Sequence, residues 1–249
     1  MSLARDFVDH ARKVSKENEL HTLMESVCSE LGFRYFALIH HADLRTPPAG
    51  VININNYPAV WADYFVERQL FKTDPVVHAS FRSTTAFQWS DLSSIIRLTP
   101  IQRRILDCAA REGLAQGITV PHSLPGECPG SCSFGTPKNE ADIERNELVA
   151  QIIGTFAFEA AMRLANPAAP TDRRFLLSPR QRECLVLIGQ GKSDWTIGQI
   201  LGLSAITIGH YVTEARRRYG VATRQQLIVR ALFNGEIGFT EICTRNRLN

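Results

Sequence analysis

The stretch Asn-Pro-Ala-Ala-Pro-Thr-Asp at residues 166–172 constrains the fold of this chain more than any other feature. Proline cannot continue a helix and pushes the residue before it toward extended backbone, so Pro167 and Pro170 end whatever structure precedes them. Patterned sequence lies on both sides of the break, and the sign of the charge changes across it. Residues 171–249 carry 12 Lys/Arg against 6 Asp/Glu, a net of +6; the remaining 16 against 19 leave the first part at −3. The 249 residues therefore read as two domains, 1–165 and 175–249, joined by a linker at 166–174. A basic unit attached to a near-neutral one suggests a second part that meets phosphates.

The first domain mixes helical and strand periodicity. Apolar residues recur at helical spacing in Phe7 to Val14 and Leu20 to Leu31, and helices fit Pro58 to Arg68 and Pro75 to Phe81. Thr99 followed by Pro100 opens another helix through Arg111, and a long one is expected from about Asn139 to Leu164. The β-forming runs YFALIHH (35–41), VININN (51–56), GITVPHS (117–123) and GSCSFGT (130–136) read as strands, the last two paired around the loop LPGECP. Strands in the middle with helices on both sides make an α/β/α sandwich.

The second domain carries no strand signal. Ser178, Asp194, Ser204 and Thr223 are expected to cap four short helices, with Gly202 and Gly220 closing two of them. The predicted fold class is thus α+β, a sandwich joined to an all-α unit. Two of its helices, joined by a short glycine-containing turn in DWTIGQILGLSAITIGHYVTEARRR, have helix-turn-helix spacing. On the second of them Ile208, Val212, Ala215 and Tyr219 would face the core. The opposite stripe holds His210, Thr213, Glu214 and Arg217, with Arg216 on its flank. Polar side chains along one line can read base edges, and cations beside them can meet phosphates.

The run LSPRQRECLVLIGQGKSDWTIGQILGLSAITIGHYVTEARRRYGV resembles the C-terminal DNA-binding domain of LuxR-type regulators. The resemblance adds Lys192 of the Gly-Lys-Ser turn and Thr207 of the Ser-x-x-Thr-Ile helix start to the DNA-facing set. Two positions depart from the family pattern. Gln181 stands where Glu is usual, and Gly209 where Lys or Arg is usual.

In the first domain, NYPAVWADYFVERQLFKTDPVV sets Tyr57 and Trp61 four apart, on one helix face, ahead of Asp74, with Trp89 following in FQW. Tyr O–H and Trp N–H donate hydrogen bonds from an apolar wall, and a carboxylate only accepts them. Such a set suits a small ligand with carbonyls and an amide N–H; an aromatic core with a capping Asp is the plain alternative. The segment resembles the autoinducer-binding domain of acyl-homoserine-lactone receptors. That resemblance implies that Trp61 donates to the lactone carbonyl, Tyr57 to the acyl carbonyl, and that Asp74 accepts from the amide. It also implies that Trp89 packs on the lactone ring, that the Ser133 hydroxyl lies near the acyl carbonyl, and that Gly117 is structural. Phe65 stands where many relatives have Tyr, keeping a ring in the pocket wall without its hydroxyl. The partners implied are an acyl-homoserine lactone, double-stranded DNA and a second copy of the chain, with no cofactor.

Other classes fit less well. No uninterrupted apolar run spans a bilayer and no signal-peptide pattern opens the chain, so a cytoplasmic protein without a membrane partner is expected. GKS at 191–193 lacks the glycine of a phosphate loop, since Val186 occupies its place. The glycines of GSCSFG bracket four residues, one too many for a nucleophile elbow. His40, His41, His78, His122 and His210 belong to no recognisable triad, so an enzyme is not expected. Cys128 and Cys132 alone do not make a zinc site, although a redox or metal trigger at this pair would be the alternative input. A ligand-free dimerisation partner is a further alternative.

Overall fold

A computed structural model describes residues 2–166 and 177–243; the linker expected at 166–174 lies, apart from Asn166, outside the described residues. The chain forms two compact units; among the described residues the first comprises 2–124 and 128–166, and the second contains 177–243.

The first unit runs α1 (Ser2–Ala11), α2 (Glu17–Glu30), β1 (Tyr35–His40), β2 (Asn53–Asn55), α3 (Ala59–Glu67), α4 (Pro75–Ser80), β3 (Phe87–Gln88), α5 (Leu92–Ile95), α6 (Pro100–Arg111), β4 (Gln116–His122), β5 (Gly130–Thr136) and α7 (Ile143–Ala165). The strands form one antiparallel sheet in the order β2-β1-β5-β4-β3. Several details differ from the sequence reading, among them the unexpected short helix α5. Strand β3 was not anticipated, because two residues are too few to show alternation. The long helix starts at Ile143 rather than near Asn139, because the Asp142 side chain accepts the Arg145 N–H and so fixes the first turn there.

The two faces of this sheet are built differently. One face carries Phe36, Leu38, Ile118, Val120, Cys132 and Phe134, which pack with residues of α1, α2 and α7 into a closed core. Helix α7 is long and apolar enough to cross a membrane by length and composition. Here it buries Ala150, Ile153, Gly154, Ala157, Phe158 and Ala161 as the central helix of that layer. Strand side chains alternate between faces, so the cross-strand partners Ala37, Ser133 and Thr119, with Gly135 and Gly117 beside them, share the other face. Those residues are small. Helices α3, α4 and α6 lie over them and leave a hollow layer.

The second unit contains α8 (Pro179–Gly189), α9 (Asp194–Leu201), α10 (Ala205–Tyr219), α11 (Arg224–Phe233) and an additional single-turn α12 (Phe239–Ile242). Their core is Leu177, Cys184, Leu185, Ile188, Ile197, Ile208, Val212, Ala215, Leu227, Ala231 and Ile237. Ser178, Ser204 and Thr223 cap as expected. The cap of α9 is Ser193 and not Asp194: the Ser193 hydroxyl accepts the Thr196 N–H at 3.2 Å, while Asp194 turns to Arg224 at 2.6 Å. Between α9 and α10, Gly202 takes a left-handed φ of 67°. A Cβ on Gly198 would sit 2.5 Å from the Leu203 carbonyl oxygen, so this turn can close tightly only on glycine.

Candidate functional site

The hollow layer encloses a cavity of ≈ 100 Å³, counted as room for the centres of water molecules. One water needs about 10–15 Å³ on that measure, so the space exceeds a packing defect. Tyr57, Trp61, Phe65, Asp74, Trp89 and Ser133, all expected from sequence, line it together. Tyr57 enters α3, and Trp61 and Phe65 follow one turn apart on it with ring centroids 6.2 Å apart. Trp61 is only 5% exposed and packs with Leu70, Ile105, Ala109 and Leu114.

The polar groups of this wall are linked. Trp89 Nε1 donates to Thr119 Oγ1 at 2.9 Å, and Thr119 Oγ1 lies 2.9 Å from Ser133 Oγ. Burial pushes the Tyr57 phenol well above its usual range, and the nearby Ser133 hydroxyl opposes that shift. The Trp89 N–H is therefore engaged within the protein, and its ring is the surface it offers. That ring lies over Gly117 and Gly135: a Cβ on Gly117 would fall 2.9 Å from it, and one on Gly135 3.1 Å from it. Sequence reasoning did not single out Thr119, although its place in the alternation of GITVPHS puts it on the same face as Ser133.

Asp74 caps α4, its Oδ1 accepting the Val77 N–H at 3.0 Å. Burial raises its carboxyl to about 6, opposed by hydrogen bonds from the Val77 and Val76 N–H groups and by the charge of His78. A buried carboxylate with only backbone donors retains acceptor capacity toward the cavity.

The cysteine trigger finds no support. Cys132 is fully buried on the α7 side of the sheet, and burial pushes its thiol far above the usual value. Cys128 is partly buried, and its thiol donates to the Pro129 carbonyl. Reactive thiols need the opposite environment. Among the described residues no three His, Cys, Asp or Glu cluster as metal ligands.

In the second unit, Ile208, Val212 and Ala215 face the core, with Tyr219 partly buried beside them. His210, Thr213 and Arg217 on α10 are exposed, as is Lys192 before α9. Thr207 is half-buried, its hydroxyl 2.8 Å from that of the capping Ser204. The remaining two residues of the expected DNA-facing set have partners within the fold. Glu214 accepts from Arg218 at 2.6 Å and from Gln181 Nε2 at 3.0 Å, and Arg216 donates to the Ala222 carbonyl. Gln181 also accepts the Ser178 N–H in a capping box, so its amide uses both a donor and an acceptor. A Glu at this position would lack the donor for Glu214, which gives this chain's departure a physical basis.

Comparison with known proteins matches this division. Residues 16–164 match the autoinducer binding domain, and residues 176–231 match the bacterial regulatory proteins of the luxR family. The chain belongs to the LuxR family. It is a LuxR-family quorum-sensing regulator with an autoinducer-binding domain and a DNA-binding helix-turn-helix. The quorum sensing-dependent transcriptional regulator RpaR of Rhodopseudomonas palustris is 27% identical over 94% of each chain. The transcriptional activator LuxR of Aliivibrio fischeri is 24% identical over 92% of each. Among solved structures, Escherichia coli SdiA in complex with octanoyl-rac-glycerol covers 94% of each chain at 22% identity with a TM-score of 0.67, a likeness of fold.

Proposed function

We propose that the autoinducer of this LuxR-family regulator is an N-acyl homoserine lactone, bound in the cavity of the first unit. The observation that carries the reading is a single apolar cavity walled by the buried Asp74 carboxylate, the Tyr57 and Ser133 hydroxyls and the Trp61 indole. The carboxylate accepts the ligand amide N–H, Tyr57 donates to the acyl carbonyl, and Trp61 donates to the lactone carbonyl. The Trp89 ring packs on the lactone, and Ser133 supports the acyl carbonyl. The chain acts by binding alone, as a homodimer on DNA in the cytoplasm. Support for the dimer comes from large apolar side chains left exposed, Leu148 on α7 at 79% and Val229 on α11 at 66%. Two copies of α10 would read half-sites about 34 Å apart, with Arg217 and Lys192 on phosphates and Thr207, His210 and Thr213 toward the bases.

The test is a thermal shift of the full chain against straight, branched and aryl acyl-homoserine lactones, with octanoylglycerol included because SdiA takes it. A ligand at 100-fold excess over Kd stabilises by about 2.7 kcal/mol, a rise of roughly 5–10 °C for a domain this size. The rise should be much smaller in Asp74→Asn. No rise with any lactone sinks the proposal, and a rise with octanoylglycerol alone reassigns the cavity to acylglycerols.

A further inference from the structure

The cavity has a second polar corner that the lactone contacts do not use. His41, just past the end of β1, lies with its Nε2 3.0 Å from Ser131 Oγ, and both residues line the cavity. The His41 Nδ1 is buried and has no hydrogen-bond partner. Burial and the neighbouring His40 lower this imidazole to about 4, so it is neutral near pH 7 and carries one proton. Two tautomers are available. With the proton on Nε2, the ring donates to Ser131 and the serine O–H is left over. With the proton on Nδ1, Ser131 donates to Nε2 and the Nδ1–H is left over. In either case one donor of the pair stays unsatisfied in a buried wall, which is costly unless a ligand or water accepts from it.

Position separates this corner from the first. Ser131 is two residues from Ser133 on the same face of β5, about 7 Å along the strand. His41 packs edge-on against Phe81, with ring centroids 5.5 Å apart. Phe81 ends the helix that Asp74 begins, about 10 Å along its axis at helical rise, so the corner lies toward the opposite end of that helix from the carboxylate. The lining also includes the apolar Ala37, Ile39, Val76 and Val77, with His40, Asn53 and Asn55 as further polar members.

From this geometry we infer that the acyl group of the ligand carries an oxygen, as a hydroxyl or carbonyl, near its far end, and that His41 and Ser131 recognise it. The inference rests on the lactone reading above and narrows it to one class of acyl group. An unmodified alkyl chain would leave the pair unsatisfied, and such sites discriminate against ligands lacking the matching polar group.

The test is calorimetric titration of the full chain with matched pairs: N-heptanoyl against N-(omega-hydroxyheptanoyl) homoserine lactone, and 3-phenylpropanoyl against 3-(para-hydroxyphenyl)propanoyl homoserine lactone. In one pair or both, the oxygenated member should bind roughly tenfold tighter, the worth of one good hydrogen bond to a buried group. His41→Phe keeps a ring against Phe81, and Ser131→Ala keeps a small residue on β5. Each should reduce the preference to within about twofold while preserving binding of the plain member, which also reports that the variant is folded. Equal binding of both members in the parent protein, or a preference that survives both substitutions, overturns the inference and leaves the lactone assignment standing. Binding of no lactone overturns both.

Discussion

At the scale of single residues, the cavity exists because of what is missing. Gly117, Thr119, Ser133, Gly135 and Ala37 occupy the centre of one sheet face, where the opposite face has Ile118, Val120, Phe134, Cys132 and Leu38. Removing bulk on one side only yields a sheet that is solid toward α7 and hollow toward α4. Gly117 is the tightest of these positions: a Cβ there would fall 2.3 Å from the Phe134 carbonyl oxygen and 2.9 Å from the Trp89 ring. Gly117→Ala must therefore displace both the β4–β5 pairing and the indole that seals the cavity. The expected outcome is a loss of about 1–3 kcal/mol by urea denaturation, together with a weaker thermal response to ligand. Unchanged stability would mean that Trp89 moves aside freely and is not a fixed wall.

At the scale of elements, α10 sorts its arginines by partner rather than by sequence position. Arg216, Arg217 and Arg218 are consecutive, yet Arg216 donates to the Ala222 carbonyl beyond the helix end and Arg218 pairs with Glu214. Arg217 is exposed and follows His210 and Thr213 along the outer stripe. The two substitutions should consequently separate. Arg217→Ala should weaken DNA binding and flatten its salt dependence by about one unit of slope, with the melting temperature unchanged. Arg216→Ala should lower stability by about 1 kcal/mol, because it removes a charged donor from a carbonyl at the helix end. Titration of a labelled operator fragment at several salt concentrations, alongside thermal melts, checks both; if Arg217→Ala binds DNA like the parent, the assigned facing of α10 is wrong. The core-facing side of this helix was legible in the sequence from the spacing of Ile208, Val212 and Ala215. The engagement of Glu214 was not, because Gln181 lies on another helix and no local pattern announces a contact across 33 positions. The α9 cap was misplaced for a related reason: Ser193 and Asp194 are both good cap formers, and the tertiary pairing of Asp194 with Arg224 decides between them.

At the scale of the whole molecule, the division into a sandwich and a helical unit followed from the proline break and the charge inversion, and the pocket's aromatic rim followed from one segment. The far corner did not. His41 and Ser131 are 90 positions apart and meet only through the register of β1 on β5, in which Ile39 faces Ser131. What the folded chain adds to the list of site residues is linkage between ligand and proton, and its sign can be worked out. The Asp74 carboxyl is raised from about 3.8 to about 6 by burial, so this group favours the free folded state at low pH. That contribution is fully present below the unfolded value and is lost as pH rises through about 6. A ligand whose amide N–H donates to Asp74 needs the ionised form and should pull the carboxyl back down. Ligand binding therefore opposes acid: above pH 7 the carboxylate is ready, whereas below 6 each binding event must release a proton. Affinity should fall with pH in that lower range, by up to about tenfold per pH unit. The ligand-induced rise in melting temperature should accordingly shrink between pH 7.5 and pH 5, even as the ligand-free protein gains stability from this group. Thermal shifts across that range with a stable N-acyl homoserine lactone, repeated on Asp74→Asn, check the argument. The parent should show the acid loss, and the variant, which has no proton to release, should bind weakly with a flat profile. An equal acid loss in both proteins would assign the linkage to another group.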